Sequence, residues 1–371
     1  MTPPRPAAPE ARARQTRPPA PDHPFQADLG PLIELVPLLA GRRVLVVGDM
    51  LADHYIVGRT SRISREAPVL ILKYQEERTV PGQAANTAAN IAALRGRPTV
   101  LGLIGRDTAG RALKTALRKA GVDIRGLMEP KGYATLVKTR ILAGGHHTAR
   151  QQVIRIDDDD RSRPPDGATT AVAAALTRAA DADDGPCVLV VSDYGYGLVG
   201  PEVWEAATAA ARRRGIPLIL DSRHQMNLLR GATLVTPNEE EAVIACGPGA
   251  ALSSGPGSGA ARDIDAVGRA LLRATGAANV LITRGNEGMA LFRPRRAAVR
   301  FPIHGTDECT DVTGAGDTVV AAVSLAMAAG ADPERAARLA NVAGAVVVAK
   351  LGTATASAAE LLAAMGAGLA D

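Results

Sequence analysis

The stretch Arg43-Val-Leu-Val-Val-Gly-Asp49 decides the fold class of this 371-residue chain. Its unbroken run of Val and Leu predicts a strand that helices cover on both faces, and Gly-Asp follows where that strand ends. Apolar runs of this kind recur, and they predict strands over 44–47, 99–104, 187–192, 217–221, 233–236, 280–283 and 288–292. The recurrence favours an α/β domain with a parallel sheet.

Helical stretches rich in Ala, Leu and charged residues separate these runs. They predict helices over 84–95, 107–120, 169–180, 201–214, 239–245, 263–275, 314–329, 333–350 and 357–365. Strands that alternate with helices are typical of a sheet with helices packed on its faces.

Two regions interrupt this alternation and lack long helices of their own. Extended segments are predicted over 56–58, 69–74, 134–142 and 151–156. We interpret them as a small β-sheet that projects from the α/β core as a lid, built from segments near 54–80 and 133–157. An exposed sheet edge can pair with another chain, so we expect a homodimer that forms through the lid.

The composition narrows the compartment and the class of partner. Residues 1–28 are rich in Pro and Arg and predict a disordered tail before one domain over 29–371. Three widely spaced cysteines predict a reducing, cytoplasmic location, and no apolar run is long enough to predict a membrane span. The net charge of +5 is spread along the chain and aromatic residues make up only 2%, which disfavours nucleic-acid binding.

The stretch DVTGAGDT (311–318), followed by an Ala-rich helix, carries the strongest chemical signal. Gly314, Ala315 and Gly316 allow backbone N–H groups to approach an anion at the positive end of the helix dipole. Asp317 follows in the first turn, where a carboxylate can accept the proton of an attacking hydroxyl. The alternative is a tight Gly-Ala-Gly turn in which Asp317 only caps the helix.

A second group of polar residues follows the first strand. Asp53 lies beyond Gly48-Asp49, and PGQAAN (81–86) begins the next helix. Open α/β sheets bind ligands at strand ends, and short polar side chains such as Asp53 and Asn86 suit sugar hydroxyls. The alternative is that Asp53 belongs to a turn and Asn86 to a helix cap.

Read together, these segments resemble the ribokinase-like (PfkB) carbohydrate kinase family. The matching stretches are GDMLADHYIVGRTSRISREAPV (48–69), ERTVPGQAANTAANIAAL (77–94), QQVIRID (151–157), VLVVSDYGYG (188–197), RGATLVTPNEEE (230–241), LITRGNEGM (281–289), DVTGAGDTVVAA (311–322) and NVAGAVVVAKLGT (341–353). The resemblance implies a three-layer α/β/α sandwich with a small β-sheet lid, and an ATP-dependent sugar kinase. It implies Mg²⁺ as cofactor and K⁺ as a candidate second ion.

The resemblance also implies roles for single residues. Asp317 would be the general base, with Gly314, Ala315 and Gly316 as the anion hole. The nucleotide side would comprise Asn238 and Glu241 with Mg²⁺ and its waters, the phosphate loop Thr283, Arg284, Gly285 and Gly288, and Asn341 at the adenine. A monovalent cation would lie at Asp311 and Thr313, and the sugar at Asp53, Gly82, Asn86, Arg155 and Asp193. Alternatively, Asn238 and Glu241 form a helix cap and Arg155 is a solvated strand residue.

The segments TSRIS-x-EAPV and KLGT resemble the heptose branch of the family. That branch implies phosphorylation of O1 of D-glycero-β-D-manno-heptose 7-phosphate. Three positions depart from its pattern: Gln83 replaces a glycine, Tyr196 replaces a lysine, and Ser222-Arg223 replaces Pro-Lys. Two alternatives therefore stay open, a kinase of another sugar or sugar phosphate and a non-catalytic relative that binds sugar or nucleotide.

Overall fold

The computed structural model describes residues 28–144, 150–159, 162–247, 263–305 and 309–366. The tail predicted over 1–28 lies outside the described residues, apart from Asp28. The strands are β1 (Arg43–Gly48), β2 (Met50–Ile63), β3 (Leu70–Gln83), β4 (Arg97–Leu103), β5 (Asp123–Met128), β6 (Leu136–Gly144), β7 (Gln151–Asp158), β8 (Val188–Asp193), β9 (Leu218–Ser222), β10 (Leu234–Val235), β11 (Val280–Thr283), β12 (Met289–Phe292) and β13 (Val299–Phe301). The helices are α1 (Gly30–Leu35), α2 (Ala84–Ala93), α3 (Thr108–Lys119), α4 (Ala168–Asp181), α5 (Pro201–Arg214), α6 (Glu239–Cys246), α7 (Ile264–Thr275), α8 (Ala315–Ala328), α9 (Pro333–Val348) and α10 (Ala358–Ala364).

The central sheet has nine strands in the order β13-β12-β11-β10-β9-β8-β1-β4-β5. Strands β11 to β5 in this order pair in parallel, and β1 aligns Val44 with Val188 of β8 and with Pro98 of β4. The expectation of a parallel sheet was wrong for one edge, because β12 and β13 are antiparallel. Only residues 284–288 join β11 to β12, and so short a connection permits a hairpin but no crossover helix.

Apolar side chains on the two faces of β1 enter two separate cores. Val44 and Val46 pack with α1, α2, α3, α8, α9 and α10, whereas Leu45 and Val47 pack with α4, α5, α6 and α7. This is the three-layer arrangement that the resemblance implies. Helix α8 is built from Ala and Val and lies between α2 and α9, so small side chains let three helices pack closely. Within the described ranges, no helix is long and apolar enough to cross a membrane.

The lid is a separate sheet of four strands in the order β3-β2-β6-β7. Its strands extend beyond the predicted segments, because β2 and β3 pair from Met50–Gln83 out to Ile63–Leu70. Tyr55, Val57 and Leu142 form a small buried cluster with Val80 on the inner part. Several large apolar side chains of the lid are exposed: Ile63, Leu70, Tyr74, Val153, Ile154 and Ile156.

Candidate active site

A cavity of about 760 Å³ lies between the carboxyl ends of the central strands and the lid. The sheet contributes Asp221, Thr236 and Thr283, which stand at or directly after strand ends. The lid contributes Asp53, Lys138, Arg140 and Arg155, and the start of α8 contributes Gly314, Ala315, Gly316 and Asp317. The structure thus brings both polar groups that the sequence singles out into one site.

Asp317 lies in the first turn of α8 at the base of this cavity and is 5% exposed. Its Oδ1 accepts a hydrogen bond of 2.6 Å from the Tyr194 hydroxyl, and its Oδ2 accepts one of 2.7 Å from Nδ2 of Asn86. Burial raises the pKa of Asp317 to about 6, although both hydrogen bonds lower it. Asp317 is therefore ionised near neutral pH, and its two hydrogen bonds fix its orientation. A general base requires both properties.

The turn before Asp317 exposes backbone donors to the cavity. Gly314 precedes α8 with φ of 78°, and a Cβ there would lie 2.6 Å from Nδ2 of Asn86, so this position requires glycine. A Cβ at Gly316 would meet open space. Among the described residues, the N–H groups of Gly316 and Asp317 have no acceptor. The helix start can therefore donate to an anion.

Asn86 lies behind Asp317 and does not line the cavity. Its Oδ1 accepts a hydrogen bond from Nδ2 of Asn90, and Oδ1 of Asn90 accepts bonds from the Thr318 hydroxyl and the Ala356 N–H. This buried chain fixes the orientation of the Asn86 amide. Asn86 therefore positions Asp317, whereas the sequence predicts a contact with sugar.

Asp53 faces the cavity from β2 and is 4% exposed. Nη2 of Arg140 lies 3.1 Å from its Oδ1, and the Thr353 hydroxyl donates to its Oδ2 over 3.0 Å. Burial raises the pKa of Asp53, although Arg140 opposes that rise. A Cβ at Gly82 would lie 2.6 Å from Oδ2 of Asp53, so Gly82 leaves room for this carboxylate. Arg140 and Thr353 were not predicted from the sequence.

Basic side chains concentrate on the lid side of the cavity. Lys138 is 8% exposed, and burial together with the charges of Arg223 and Arg155 lowers its pKa. Arg155, predicted to contact sugar, lines the rim but is half exposed and forms a bidentate pair with Asp157 at 2.9 and 3.1 Å. Three arginines and Lys138 line this one cavity, which favours an anionic ligand, although each arginine lies within 4.0 Å of a carboxylate.

Tyr194 and Arg223 pack against each other beside Asp317, and neither was predicted as a site residue. The Arg223 guanidinium lies 4.5 Å from the centroid of the Tyr194 ring, a cation–π contact. Asp221 lines the cavity nearby, and burial with the neighbouring carboxylates of Glu241 and Asp317 raises its pKa. The stretches DYGYG (193–197) and DSR (221–223) begin within the last residues of β8 and β9. Their place at strand ends is the sequence signal that could have indicated Tyr194 and Arg223.

Asp193, predicted on the sugar side, does not line the cavity. Its carboxylate accepts hydrogen bonds from the Ser222 hydroxyl at 2.6 Å and from the Gly195 N–H at 3.0 Å. Asp49 lies next to it, accepts a bond from the Tyr194 N–H at 2.8 Å, and has a pKa raised by burial to about 7. These two buried acids shape the loop that carries Tyr194.

Asn238 and Glu241 form a capping box at the start of α6. Oδ1 of Asn238 accepts from the Glu241 N–H, and Oε2 of Glu241 accepts from the Asn238 N–H, both at 2.9 Å. The helix cap considered as the alternative is therefore present. Oε1 of Glu241 lies 4.0 Å from Nε of Arg223, and both Asn238 and Glu241 also line the cavity. A remaining oxygen at the wall suits an ion that keeps its own waters.

The remaining nucleotide-side residues divide into two sets. Thr283, Gly285, Gly288 and Asn341 line the cavity. Arg284 does not, because its guanidinium pairs with Glu239 at 2.6 Å and Glu287 at 2.5 Å. Gly288 has φ of 81°, and a Cβ there would lie 2.0 Å from the Phe301 carbonyl oxygen.

Asp311 and Thr313 lie together beside the helix start. Oδ1 of Asp311 accepts from the Thr313 N–H and Oδ2 from the Gly352 N–H, each at 2.9 Å. These hydrogen bonds hold the pKa of Asp311 below its usual range, although partial burial opposes them. An ionised carboxylate with free lone pairs can take a cation as well.

A lidded three-layer sandwich with a buried carboxylate at an open helix N-terminus defines a small-molecule phosphotransferase. The chain belongs to the pfkB family of carbohydrate kinases, because residues 42–360 match the model of the pfkB family carbohydrate kinase. The predicted family, fold class and enzyme class are therefore confirmed.

Curated relatives extend the comparison. The bifunctional protein HldE of Azorhizobium caulinodans is 41% identical over 325 residues, which are 87% of this chain and 64% of that protein. The bifunctional protein HldE of Caulobacter vibrioides is 42% identical over 334 residues, which are 90% of this chain and 65% of that protein. The chain thus spans less than two thirds of the length of these relatives.

Solved structures share the fold at low sequence identity. Ribokinase from Arabidopsis thaliana, complexed with ribose and ATP, gives a TM-score of 0.63 at 20% identity over 88% of this chain and 99% of its own. Phosphofructokinase-2 from Escherichia coli, in complex with potassium, gives 0.67 at 18% identity over 88% and 98%. These likenesses confirm the ribokinase-like α/β fold.

Proposed function

We propose that this chain transfers the γ-phosphoryl group of ATP to O1 of D-glycero-β-D-manno-heptose 7-phosphate, giving the 1,7-bisphosphate. The observation that carries the proposal is the Asp317 carboxylate, held by Tyr194 and Asn86 beside free backbone donors. The choice of a heptose phosphate rests on the heptose-branch segments and on the HldE relatives at about 40% identity.

Asp317 takes the proton of the acceptor hydroxyl while that oxygen attacks the γ-phosphorus. The new O–P bond forms as the bond from the γ-phosphorus to the bridging oxygen breaks, and ADP leaves. The free N–H groups at the start of α8 stabilise negative charge on the transferred group. The lid excludes water, which would otherwise compete with the sugar as acceptor.

The basic lid side of the cavity favours an acceptor that already carries a phosphate. Arg223 and Arg155 lie close enough to Lys138 to add to the lowering of its pKa by burial. Tyr196 occupies the position where the heptose branch has lysine, and these cations supply the positive charge from other elements. A phosphate on the far end of the sugar would neutralise them.

Mg²⁺ fits the wall formed by Asn238, Glu241 and Asp221. These residues supply oxygen ligands of the kind this hard cation prefers, with room for its waters. When bound there, Mg²⁺ neutralises charge on the nucleotide phosphates. Asp311 and Thr313 fit a monovalent cation such as K⁺, and phosphofructokinase-2 has been solved with potassium.

We infer that two chains associate through their lids in a reducing cytoplasm. The exposed apolar side chains of the lid support association, since contiguous apolar surface tends to mark an interface. All three cysteines are free, which fits a reducing compartment. A monomeric mass at micromolar concentration would contradict the dimer.

A kinase of another sugar or sugar phosphate is the second candidate, favoured by Gln83, Tyr196 and Ser222-Arg223. The test measures ADP release with heptose 7-phosphate, fructose 6-phosphate, fructose, ribose and a nucleoside, with a no-sugar control. We expect kcat/KM for heptose 7-phosphate to exceed every other value at least tenfold, with phosphorus NMR placing the new phosphate on O1. A higher kcat/KM for any other compound in this set would support the second candidate. The absence of turnover with every compound would overturn both candidates.

A further inference from the structure

Gln83 adopts a backbone conformation that glycine would normally supply. It is the last residue of β3, pairs with Met50, and precedes α2 with φ of 54° and ψ of −129°. Such angles belong to the first central position of a type II′ turn, where glycine predominates. Glycine at this position would therefore stabilise the fold more than Gln83 does.

The Gln83 side chain adds a second unfavourable feature. It is 6% exposed, and neither Oε1 nor Nε2 makes a hydrogen bond to any residue that the structure describes. Burial raises the pKa of Tyr196 to about 12, and the Gln83 amide lies close enough to the Tyr196 hydroxyl to oppose that rise. The two groups nevertheless form no hydrogen bond. A buried amide without partners destabilises a folded protein.

Both features occur at the wall of the active site. Gln83 lines the same cavity as Asp53 and Asp317, and the preceding residue, Gly82, abuts the Asp53 carboxylate. Backbone strain and unpaired buried groups that persist at such a position indicate a function that outweighs them. A primary amide offers one acceptor and two donors side by side, which matches two neighbouring hydroxyl groups of a sugar.

We infer that Gln83 is a specificity-determining residue whose amide binds a pair of adjacent hydroxyl groups on the acceptor sugar. This inference rests on the proposed function, because it concerns the acceptor of that reaction. The Gln83 side chain also fills space that glycine would leave open, so it narrows the pocket against acceptors that lack the matching hydroxyl pair.

Gln83→Gly tests the inference because the variant should be more stable than the wild type and should bind the sugar more weakly. The variant relieves the strained backbone and removes the unpaired amide, so we expect Tm to rise by about 2–4 °C. We expect KM for heptose 7-phosphate to rise about 10–100-fold, with kcat within about twofold and KM for ATP unchanged. Gln83→Met keeps the side-chain length without hydrogen-bonding atoms and should show the same rise in KM.

Arg95→Gly is the matched control. Arg95 follows the other end of α2 with φ of 67° and is exposed, away from the cavity. It should give a comparable gain in Tm with an unchanged KM for sugar. Wild-type KM in both Gln83 variants would overturn the inference, as would a structure with bound sugar in which only water contacts the amide.

A second readout separates this inference from the proposed function. The rise in Tm caused by heptose 7-phosphate without nucleotide should be large in the wild type and small in both Gln83 variants. If the wild type shows no turnover but keeps that rise, the proposed function fails while the inference stands on the loss in the variants. If the wild type shows neither, both are overturned.

Discussion

The Tyr194 hydroxyl donates a hydrogen bond of 2.6 Å to Oδ1 of Asp317, across 123 residues of sequence. Asn86 holds Oδ2 in the same way, so both oxygens of the carboxylate are fixed before substrate arrives. The lone pairs of the carboxylate that Tyr194 and Asn86 leave free can accept a proton from a group in the cavity. Tyr194 therefore positions the Asp317 carboxylate and also keeps its pKa low enough for ionisation near neutral pH.

Removal of the Tyr194 hydroxyl should shift the pH dependence of the reaction. Asp317 must be ionised to accept a proton, so the wild-type rate should fall as pH drops through about 6. In Tyr194→Phe the pKa of Asp317 loses a contribution that lowers it, and the acid limb of the kcat profile should move to higher pH. At pH 8 we expect a loss in kcat of no more than about tenfold.

Tyr133→Phe is the control for this shift, because Tyr133 is buried but makes no hydrogen bond to Asp317. Its acid limb should coincide with that of the wild type. An unshifted limb in Tyr194→Phe would show that the hydroxyl does not tune the base.

Asp49 should make the protein less stable as pH rises. Burial raises its pKa to about 7 in the folded state against 3.8 for the free group, so the folded protein binds more protons between these values. The stability it contributes is therefore present below about pH 4 and lost as pH passes 7. The side chain of the Asp49→Asn variant cannot ionise. The free energy of unfolding of this variant minus that of the wild type should therefore increase by a few kcal/mol between pH 4 and pH 8. Denaturant unfolding of both proteins at pH 4 and pH 8 measures this difference. The same difference at both pH values would contradict the prediction.

Lys138 should act on the phosphate of the acceptor and on no other part of it. Lys138→Met removes a buried cation of the cavity, and we expect KM for heptose 7-phosphate to rise about 10–100-fold. KM for ATP should not change. Lys114→Met, which removes the partly buried ion pair with Glu129 away from the cavity, is the matched control and should leave both values unchanged. An equal rise in KM for an unphosphorylated sugar would assign Lys138 to another role.

The alternating sheet and its helices could be predicted because their signals are local. Val44 to Val47 form one apolar run, and the structure divides it between two cores. The antiparallel edge was missed, although the five residues between β11 and β12 already limited that connection to a hairpin. β5 was missed as well, because DIRGLM (123–128) mixes charged and apolar residues at the sheet edge.

The site could be predicted only in part because its contacts join distant segments. Asn86 and Asp317 are 231 residues apart, and no pattern in either segment indicates that their side chains meet. Arg140 and Arg155 face each other across two lid strands. The inner strand buries Arg140 against Asp53, whereas the edge strand leaves Arg155 half exposed. Only the order of the strands distinguishes these two arginines.

The proposed reaction depends above all on Asp317 as the base of the phosphoryl transfer. Asp317→Asn keeps the size of the side chain and can still accept from Tyr194 through its amide oxygen, while its amide nitrogen then faces Nδ2 of Asn86 and that hydrogen bond is lost. Unfolding should stay cooperative with a modest fall in Tm. The most direct measurement is single-turnover formation of the sugar product by this variant, with Tm and ATP binding measured on the same sample. If Asp317 is the base, the rate should fall at least about 10²-fold while ATP binding is retained. Turnover within a few-fold of the wild type would contradict it.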